Sequence, residues 1–398
     1  MSDSLGPRRT HQEWLEAFRA SPTMPHDLSS FSHLERRTLL RTLLNRAFLI
    51  PSGMHAEVAV SIDEMLRIGL TARDPGGENF HQRCEEELEP LITDSPAVDP
   101  VDEADAICGC LLGCPGLAKT RTVRATLRTI RQTVSVTMPT PGNPKIEQIR
   151  YLYLSSPSEA SVSDFASVFF RQANAALYGP AHPDATSLTP QALWMAGERK
   201  ITARSPSRDL EIAIRSFVQQ YGVGLLILDE VQNLDARFWH GREKLINSIV
   251  ALVNDLSLSL FIVGSGAVLD TLFTQLRFGR RVGKRSHLWN PADCEAPWQD
   301  YVQGLLALQI TDERAQYSDD IAEALWMLTE GLFDICNTLF EHLQDWLLFA
   351  NVGPLTAEIV RTHGPQFVIV FADRIAAVRD QRAGKPCLIG DMRIFKFQ

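Results

Sequence analysis

No apolar run in the sequence reaches the roughly 18–20 residues that a bilayer-crossing helix needs, so neither a membrane span nor a membrane partner is expected. No early stretch joins a basic start, an apolar middle and a small-residue cleavage site, so no secretory leader is expected either, and the reading is cytosolic (cytoplasmic). An excess of positive charge is lacking as well. Lys and Arg total 39 against 48 Asp and Glu, a formal net charge of −9. That excludes a surface coating nucleic acid uniformly but leaves room for a local basic patch. Repeats and low-complexity tracts are not evident. Cysteine is sparse and odd in number: of seven, only Cys108, Cys110 and Cys114 cluster, while Cys84, Cys294, Cys336 and Cys387 are scattered. No Cys/His pair follows the cluster at finger spacing, so reduced structural thiols are expected rather than a metal site.

The 398 residues exceed the roughly 250–300 at which single cores stop growing, so more than one domain is expected. The first seventy-odd residues are helical in pattern. Leu34, Leu39, Leu40, Leu43 and Leu44 make one apolar face, and Val58, Ile62, Met65 and Leu66 make another. Pro75 and the paired glycines after it break that pattern. It reads equally as an ordinary helical domain or as an adaptor arm on a larger core.

From about Ala104 to Leu308 short apolar runs alternate with amphipathic helices. The runs are "AICGCLLG", "TVSVTM" with "IRYLYLS", "GLLILDE" and "LSLFIVGSG"; helices are expected over "KTRTVRATLRTIRQ", "SVSDFASVFFRQANAALY", "DLEIAIRSFVQQYG" and "GREKLINSIVALVNDL". Such alternation predicts an α/β fold, a mostly parallel sheet with helices on both faces. "TSLTPQALWMAGERKITARSPS" reads as a partly looped insertion, and the chain beyond "QITDERAQYSDD" as helical. The expected division is 1–76, a helical extension; 77–310, a nucleotide-binding core; and 311–398, a helical lid and tail.

"GCPGLAKT", Gly113 to Thr120, nearly spells a phosphate-binding loop, but Ala118 stands where the last glycine belongs. Such a loop works because a tight turn aims successive N–H groups at phosphate, backed by the positive end of the following helix dipole. Lys119 would reach the outer phosphates and Thr120 would ligate Mg²⁺. Glycine is needed where φ is positive or a Cβ would meet phosphate. Ala118 is expected at the helix start, where a small residue can take that geometry. The candidate nucleotide-binding set is Gly113, Cys114, Pro115, Gly116, Leu117, Ala118, Lys119, Thr120 and Arg121. Downstream, "LLILDEVQNL" is an apolar strand ending in two acids. Asp229 would hold Mg²⁺ through water and Glu230 would polarise the attacking water. A solvated strand end carrying two acids is the plain alternative.

With these pieces assembled, the chain resembles the AAA+ ATPases of transposons, the TnsC/TniB family, over about Ala104 to Gln381. The pieces are "GCPGLAKTRTVRATL", "YLYLSSPSEASVSDFASVFF", "LLILDEVQNL", "LVNDLSLSLFIVGSGAVL" and "LRFGRRVGKRSHLW", and "DEVQNL" is the most specific. "HAEVAVSIDEMLRIGLTARDP" is similar to the entry segment of the CRISPR-associated branch. The resemblance implies a P-loop AAA+ fold, with a central parallel sheet flanked by helices, an N-terminal helical extension and a C-terminal helical lid. It implies ATP and Mg²⁺ as cofactors and a homo-oligomeric ring or filament around double-stranded target DNA. The partners it implies are a target-selecting protein and a transposase. It also implies that Ser265, ending the strand after the acidic one, faces the γ-phosphate, though an ordinary strand end is an equal reading. In "LRFGRRVGKR", Arg280 or Arg281 would reach a neighbouring subunit's nucleotide; a solvated charged face is the plain alternative. Ala118 departs from the family's glycine, which bears on ATP affinity or turnover rather than on the fold. Arg199, Lys200 and Arg204 are candidate DNA contacts, each equally readable as part of a solvated loop. Two other readings stay open: a signalling or defence ATPase that binds a protein ligand and not DNA, and a nucleotide-free assembly protein with a decayed loop.

Overall fold

The computed structural model describes residues 5–18, 24–25, 27–46, 48–74, 107–137, 142, 145–157, 161–179, 194–196, 199–202, 204–235, 239–256, 258–267, 285–387 and 389–395. At its centre is a five-stranded sheet in the order β4 (Tyr151–Ser155), β7 (Leu225–Asp229), β8 (Ser259–Gly264), β1 (Cys108–Gly113), β9 (Ser286–Trp289). Every neighbouring pair is parallel. Parallel strands are buried on both faces and therefore read as continuous apolar runs, which is why β1, β7 and β8 are legible.

Within each run the side chains alternate between two cores, as the two-residue period of a strand requires. Leu111, Leu225, Ile227, Phe261 and Val263 join one cluster. Cys108, Cys110, Leu112, Leu226, Leu228, Leu260 and Ile262 join the other. The second face is covered by α5 (Val162–Tyr178), α6 (Ser207–Gln220) and α7 (Trp239–Asp255), whose apolar stripes include Phe169, Phe170 and Phe217. Phe217 meets Phe169 and Phe170 edge-on at 5.6 and 5.8 Å between ring centroids. Helix α5 starts where the Ser161 side chain accepts from the Asp164 N–H at 3.1 Å, an N-cap.

On the first face sit α4 (Lys119–Arg128) and α3 (Gly53–Ala72). Helix α3 lies against β1, β7 and β8, so this part of the leading helical segment is packed on the sheet. Its approach is set by Gly69: a Cβ there would fall 1.9 Å from the Gly224 carbonyl oxygen. The earlier helices α1 (His11–Phe18) and α2 (His33–Arg46) pack on α3 and on the C-terminal helices respectively.

Several sequence expectations change in detail. "TVSVT" does not join the parallel sheet; β2 (Thr133–Thr137) pairs antiparallel with β3 (Lys145–Ile149) as a separate hairpin. Parts of the supposed insertion form a second hairpin, β5 (Trp194–Ala196) with β6 (Arg199–Ile201). The fifth parallel strand, β9, is four residues long and was not expected; so short a run shows no period of its own.

The helical region from Ala296 onward comprises α8 (Ala296–Leu306), α9 (Asp319–Thr329), α10 (Phe333–Ala350), α11 (Ala357–His363), α12 (Pro365–Val368) and α13 (Ala372–Arg382). The long apolar stretch splits between α9 and α10, where Glu330 and Gly331 take left-handed φ values of 51° and 74°. Trp298, fully buried, ties α8 to α9 by donating from Nε1 to the Ala322 carbonyl at 2.9 Å. No described helix is long and apolar enough to cross a membrane.

Gly69→Ala should lower stability by about 1–3 kcal/mol, the usual cost of overpacking, read as a lower urea midpoint. Gly53→Ala, at a position with nothing within 4 Å of the added Cβ, should leave the midpoint nearly unchanged.

Candidate functional site: a phosphate-binding loop closed by an acidic strand end

The register aligns the carboxyl ends of the strands: Gly113 of β1 opposes Trp289 of β9, Leu112 opposes Gly264 of β8, and Ser155 of β4 opposes Asp229 of β7. In open parallel sheets ligands bind along this edge, at the point where successive connections leave in opposite directions. Here the chain leaves β1 for the β4 side of the sheet and leaves β8 for the β9 side. The 113–120 loop emerges at that point.

Residues 114–118 turn the chain from β1 into α4. Gly116 has φ +89° and Ala118 has φ 61°, ψ 19°. Ala118 is therefore the N-cap of α4, in the left-handed conformation that glycine takes without strain and that costs an L-residue about 1–2 kcal/mol. The alanine keeps the shape of the turn at a cost in stability. Gly116 has a separate reason to lack a side chain: a Cβ would fall 1.9 Å from Asp334 Oδ1 in the first turn of α10.

Lys119 folds over the loop, its Nζ donating to the carbonyls of Gly113 at 2.8 Å and Cys114 at 2.7 Å. Burial lowers its pKa to about 8, against the opposing pull of Cys114, Glu230, Asp229 and Asp334. Burial pushes the neighbouring Cys114 thiol up to about 11, so it stays protonated at neutral pH. Arg121 spends its guanidinium on the carbonyls of Phe48 and, at 3.1 Å, Asn45, tying α4 to the last turn of α2 and to Phe48 beyond it.

Across the edge, Asp229 is 2% exposed. Its Oδ2 accepts from Thr120 Oγ1 at 2.7 Å and from the Tyr153 hydroxyl; its Oδ1 accepts from the Glu230 N–H at 2.8 Å. A hydroxyl and a carboxylate in contact are hard oxygen donors of the kind Mg²⁺ takes, together with water and substrate phosphate. Together with a glycine-floored turn at a helix N-terminus, these residues fit a magnesium–nucleotide. Among the described residues no cluster of three or more His, Cys, Asp or Glu offers an all-protein metal cage.

Glu230 is exposed, with φ 57°. Its carboxylate accepts from Gln232 Nε2, and Gln232 Oε1 accepts from the Ser265 N–H at 3.1 Å. Gln232 thus spans from the acidic strand end to the end of β8, while Asn233 donates back to Glu230 O from its N–H at 2.9 Å. This gives the "DEVQNL" run a physical account: one amide fixes Glu230 against the next strand. Ser265 is buried, and its hydroxyl donates to Asp391.

Four further residues at the site were not picked out in the sequence. Tyr153 holds Asp229 and lies under the Arg124 guanidinium, 5.1 Å from its ring centroid; burial raises its phenol pKa. Gln232 is the second. Asp334 and Arg374 bring the C-terminal helices onto the loop: the Asp334 N–H donates to Gly116 O at 3.2 Å, and Arg374 Nη2 donates to Pro115 O at 3.0 Å and Asp334 Oδ2 at 2.9 Å. No local sequence signal marks contacts made some 220 to 260 residues away.

Arg280 and Arg281 lie outside the described residues, as do Arg277 and Lys284. Arg285 is described and pairs with Glu64 of α3 at 3.0 Å. Arg199 and Lys200 are in β6, opposite Ala196 and Met195, and Arg204 is exposed just beyond.

Residues 102–272 match the family model described as an AAA domain. With the strand order, the loop and the acidic strand end, this segment defines the fold class: a P-loop AAA+ domain followed by helices. No curated protein matches the chain. Among solved structures the chain is similar to the Aeropyrum pernix ORC2 protein in its ADP form, at 12% identity and TM-score 0.43 over 78% of this chain and 75% of that one. It is also similar to Drosophila ORC bound to DNA, at 14% and 0.43 over 94% and 81%. A third is Cdc6p from Pyrobaculum aerophilum, at 15% and 0.42 over 93% and 79%. These likenesses are distant, and the class rests on the chain's own loop, sheet order and family match.

Ala118→Gly should raise the stability of the nucleotide-free protein by about 1 kcal/mol, because relief of the left-handed strain outweighs the added freedom of the unfolded chain. A higher urea midpoint is the expected result; a lower one would mean that the alanine methyl makes contacts worth more than the strain.

Proposed function

We propose that the protein is an ATP-binding and ATP-hydrolysing AAA+ regulator of DNA transposition. It assembles with ATP as a ring or filament on double-stranded target DNA and links a target-selecting protein to a transposase. The nucleotide half of this reading is carried by the contact between Thr120 and Asp229. That contact brings the helix of the phosphate loop and an acid two strands away in the sheet to one point. The transposition half is supported by the sequence resemblance, "DEVQNL" above all.

In this reading the backbone of Gly113–Arg121 cradles the phosphates, the Arg121 guanidinium being committed to Phe48 and Asn45, and Lys119 supplies their counter-charge. Thr120 and Asp229 would hold Mg²⁺, which when bound supplies neutralisation of phosphate charge. Glu230, steadied by Gln232, orients and deprotonates the attacking water. Ser265 addresses the γ-phosphate, and Arg280 or Arg281 reaches the nucleotide of the next subunit. Residues 77–310, with α3 packed on their sheet, form the working core, 311–398 the lid and tail, and the outer faces of the 1–76 helices the region that meets other proteins. The β5–β6 hairpin, with Arg199 and Lys200, and nearby Arg204 offer phosphate contacts. Each subunit offers only a few, which a ring multiplies despite the net charge of −9.

The lowered pKa of Lys119 fixes the sign of a pH dependence. Polyphosphate binds the ammonium form. Below about pH 8 the lysine is already charged, whereas above it binding must first take up a proton. ATP affinity should be flat from about pH 7, above the titration of the terminal phosphate itself, to pH 8, and fall above that by up to about tenfold per pH unit. Folding of the nucleotide-free protein runs the other way. A charged buried lysine is a full cost below pH 8, relieved as pH rises towards the ordinary lysine value. Fluorescence titration with an ATP analogue across pH 6–10 measures the first trend.

Gel shift and electron microscopy with duplex DNA test the assembly. Small species are expected without nucleotide and large assemblies with ATP plus DNA, shrinking steeply as salt rises. Assemblies should be longer-lived in Glu230→Gln, which keeps ATP bound but unhydrolysed, and blocked in the Arg280→Ala/Arg281→Ala variant. ATP binding with no effect of DNA would favour instead the signalling or defence ATPase that recognises a protein ligand.

A further inference from the structure

The segment Gly390–Phe395 lies across the carboxyl edge of the sheet, at the loop. It is held there by reciprocal bonds. Gln381 of α13 donates to Met392 O at 2.7 Å and accepts from the Ile394 N–H at 2.9 Å. Asn290, just after β9, donates to Phe395 O and accepts from the Phe395 N–H, both at 2.8 Å. Met392 is 1% exposed and Phe395 is 9% exposed. The segment touches the phosphate loop through the Cys114 thiol, which donates to Arg393 O at 3.5 Å. It touches the end of β8 at Gly266, where an added Cβ would lie 3.2 Å from both Arg393 and Phe395. At the centre of this contact Asp391 accepts the proton of the Ser265 hydroxyl.

A serine hydroxyl has one proton to give. While it is given to Asp391, Ser265 cannot donate to a phosphate oxygen, and a carboxylate sits beside the place where that oxygen would arrive. Ser265 is buried while Asp391 is exposed, and a buried donor already satisfied by a carboxylate is a resting state, since the bond must break before the hydroxyl can serve a ligand. We propose that Asp391 is a positioning residue of the nucleotide site: acting through Ser265, it holds the 390–395 segment against the loop and sets a threshold that the γ-phosphate, not the rest of the nucleotide, must overcome. This rests on the reading of the 113–120 loop as a nucleotide site with Ser265 on its γ-phosphate side. ATP breaks the Ser265–Asp391 bond and ADP leaves it in place, so the outer face of the loop differs between the two states.

The test is the affinity of the full chain for a non-hydrolysable ATP analogue and for ADP, measured side by side. Asp391→Ala should tighten the ATP analogue about tenfold, the scale of one charged hydrogen bond, and ADP by less than twofold. Asp391→Asn keeps the shape and loses the charge, so it should fall in between; it also serves if the alanine variant folds poorly. In a Ser265→Ala background the Asp391→Ala gain should vanish. Met392→Ala, which loosens the segment without touching Ser265, should reproduce part of the gain. A merely structural Asp391 would shift both nucleotides alike, and equal shifts, no shift or weaker ATP binding would overturn the proposal. Lys119→Ala separates the two readings. If it abolishes binding while Asp391 variants show no ATP-selective gain, the positioning role alone fails. If it leaves binding intact, the nucleotide site and the positioning role fail together.

Discussion

The arrangement at the head of the sheet is built around one buried carboxylate. Asp229 takes two hydroxyl donors on one oxygen, from Thr120 on α4 and Tyr153 on β4, and a backbone donor on the other. Buried acceptors left without partners are costly, so these bonds fix more than the carboxylate itself. They lock the start of α4 to the end of β7, although β8 lies between β7 and β1. The lateral position of the loop, the side-chain direction of Thr120 and the place of Lys119 all follow from that lock.

The loop is held from its outer side by a different set of residues. Asp334 and Arg374 bond its backbone from α10 and α13, and the 390–395 segment reaches Cys114 and Ser265. The C-terminal helices are thus part of the site's wall, and a single cluster of buried side chains runs from Val58 and Leu66 of α3 through Leu117 of the loop to Leu339 and Phe340 of α10. Motion of those helices and conformation of the loop are therefore mechanically connected. A change at the loop would be felt at the outer helices.

The loop also shows how far a motif can drift. Ala118 occupies a left-handed position and Gly116 a close-approach position, and only the second is absolute. A methyl group at φ 61° costs strain that a large core can absorb. One at residue 116 would occupy the space of the Asp334 carboxylate. This is why the loop tolerates the loss of one glycine and keeps the other.

The sequence by itself determined the periods and the punctuation. Continuous apolar runs announced β1, β7 and β8, alternating helices announced an α/β sheet, and "GCPGLAKT" with "LLILDE" announced a loop and an acid that needed each other. These are local signals, set by which residues face inward along one element. Tertiary structure alone decided that "TVSVT" pairs in a side hairpin and that the four-residue β9 completes the sheet, because edges and short strands take their partners from register rather than from pattern. It alone put α3 on the sheet through the Gly69–Gly224 approach, Tyr153 on Asp229, Gln232 between Glu230 and Ser265, and Asp391 on Ser265. Most of these contacts join residues tens to hundreds of positions apart, and even the short Glu230–Gln232–Ser265 bridge depends on β7 and β8 lying side by side. A hydrogen bond depends on where two chains meet in space, and no period along one chain carries that information.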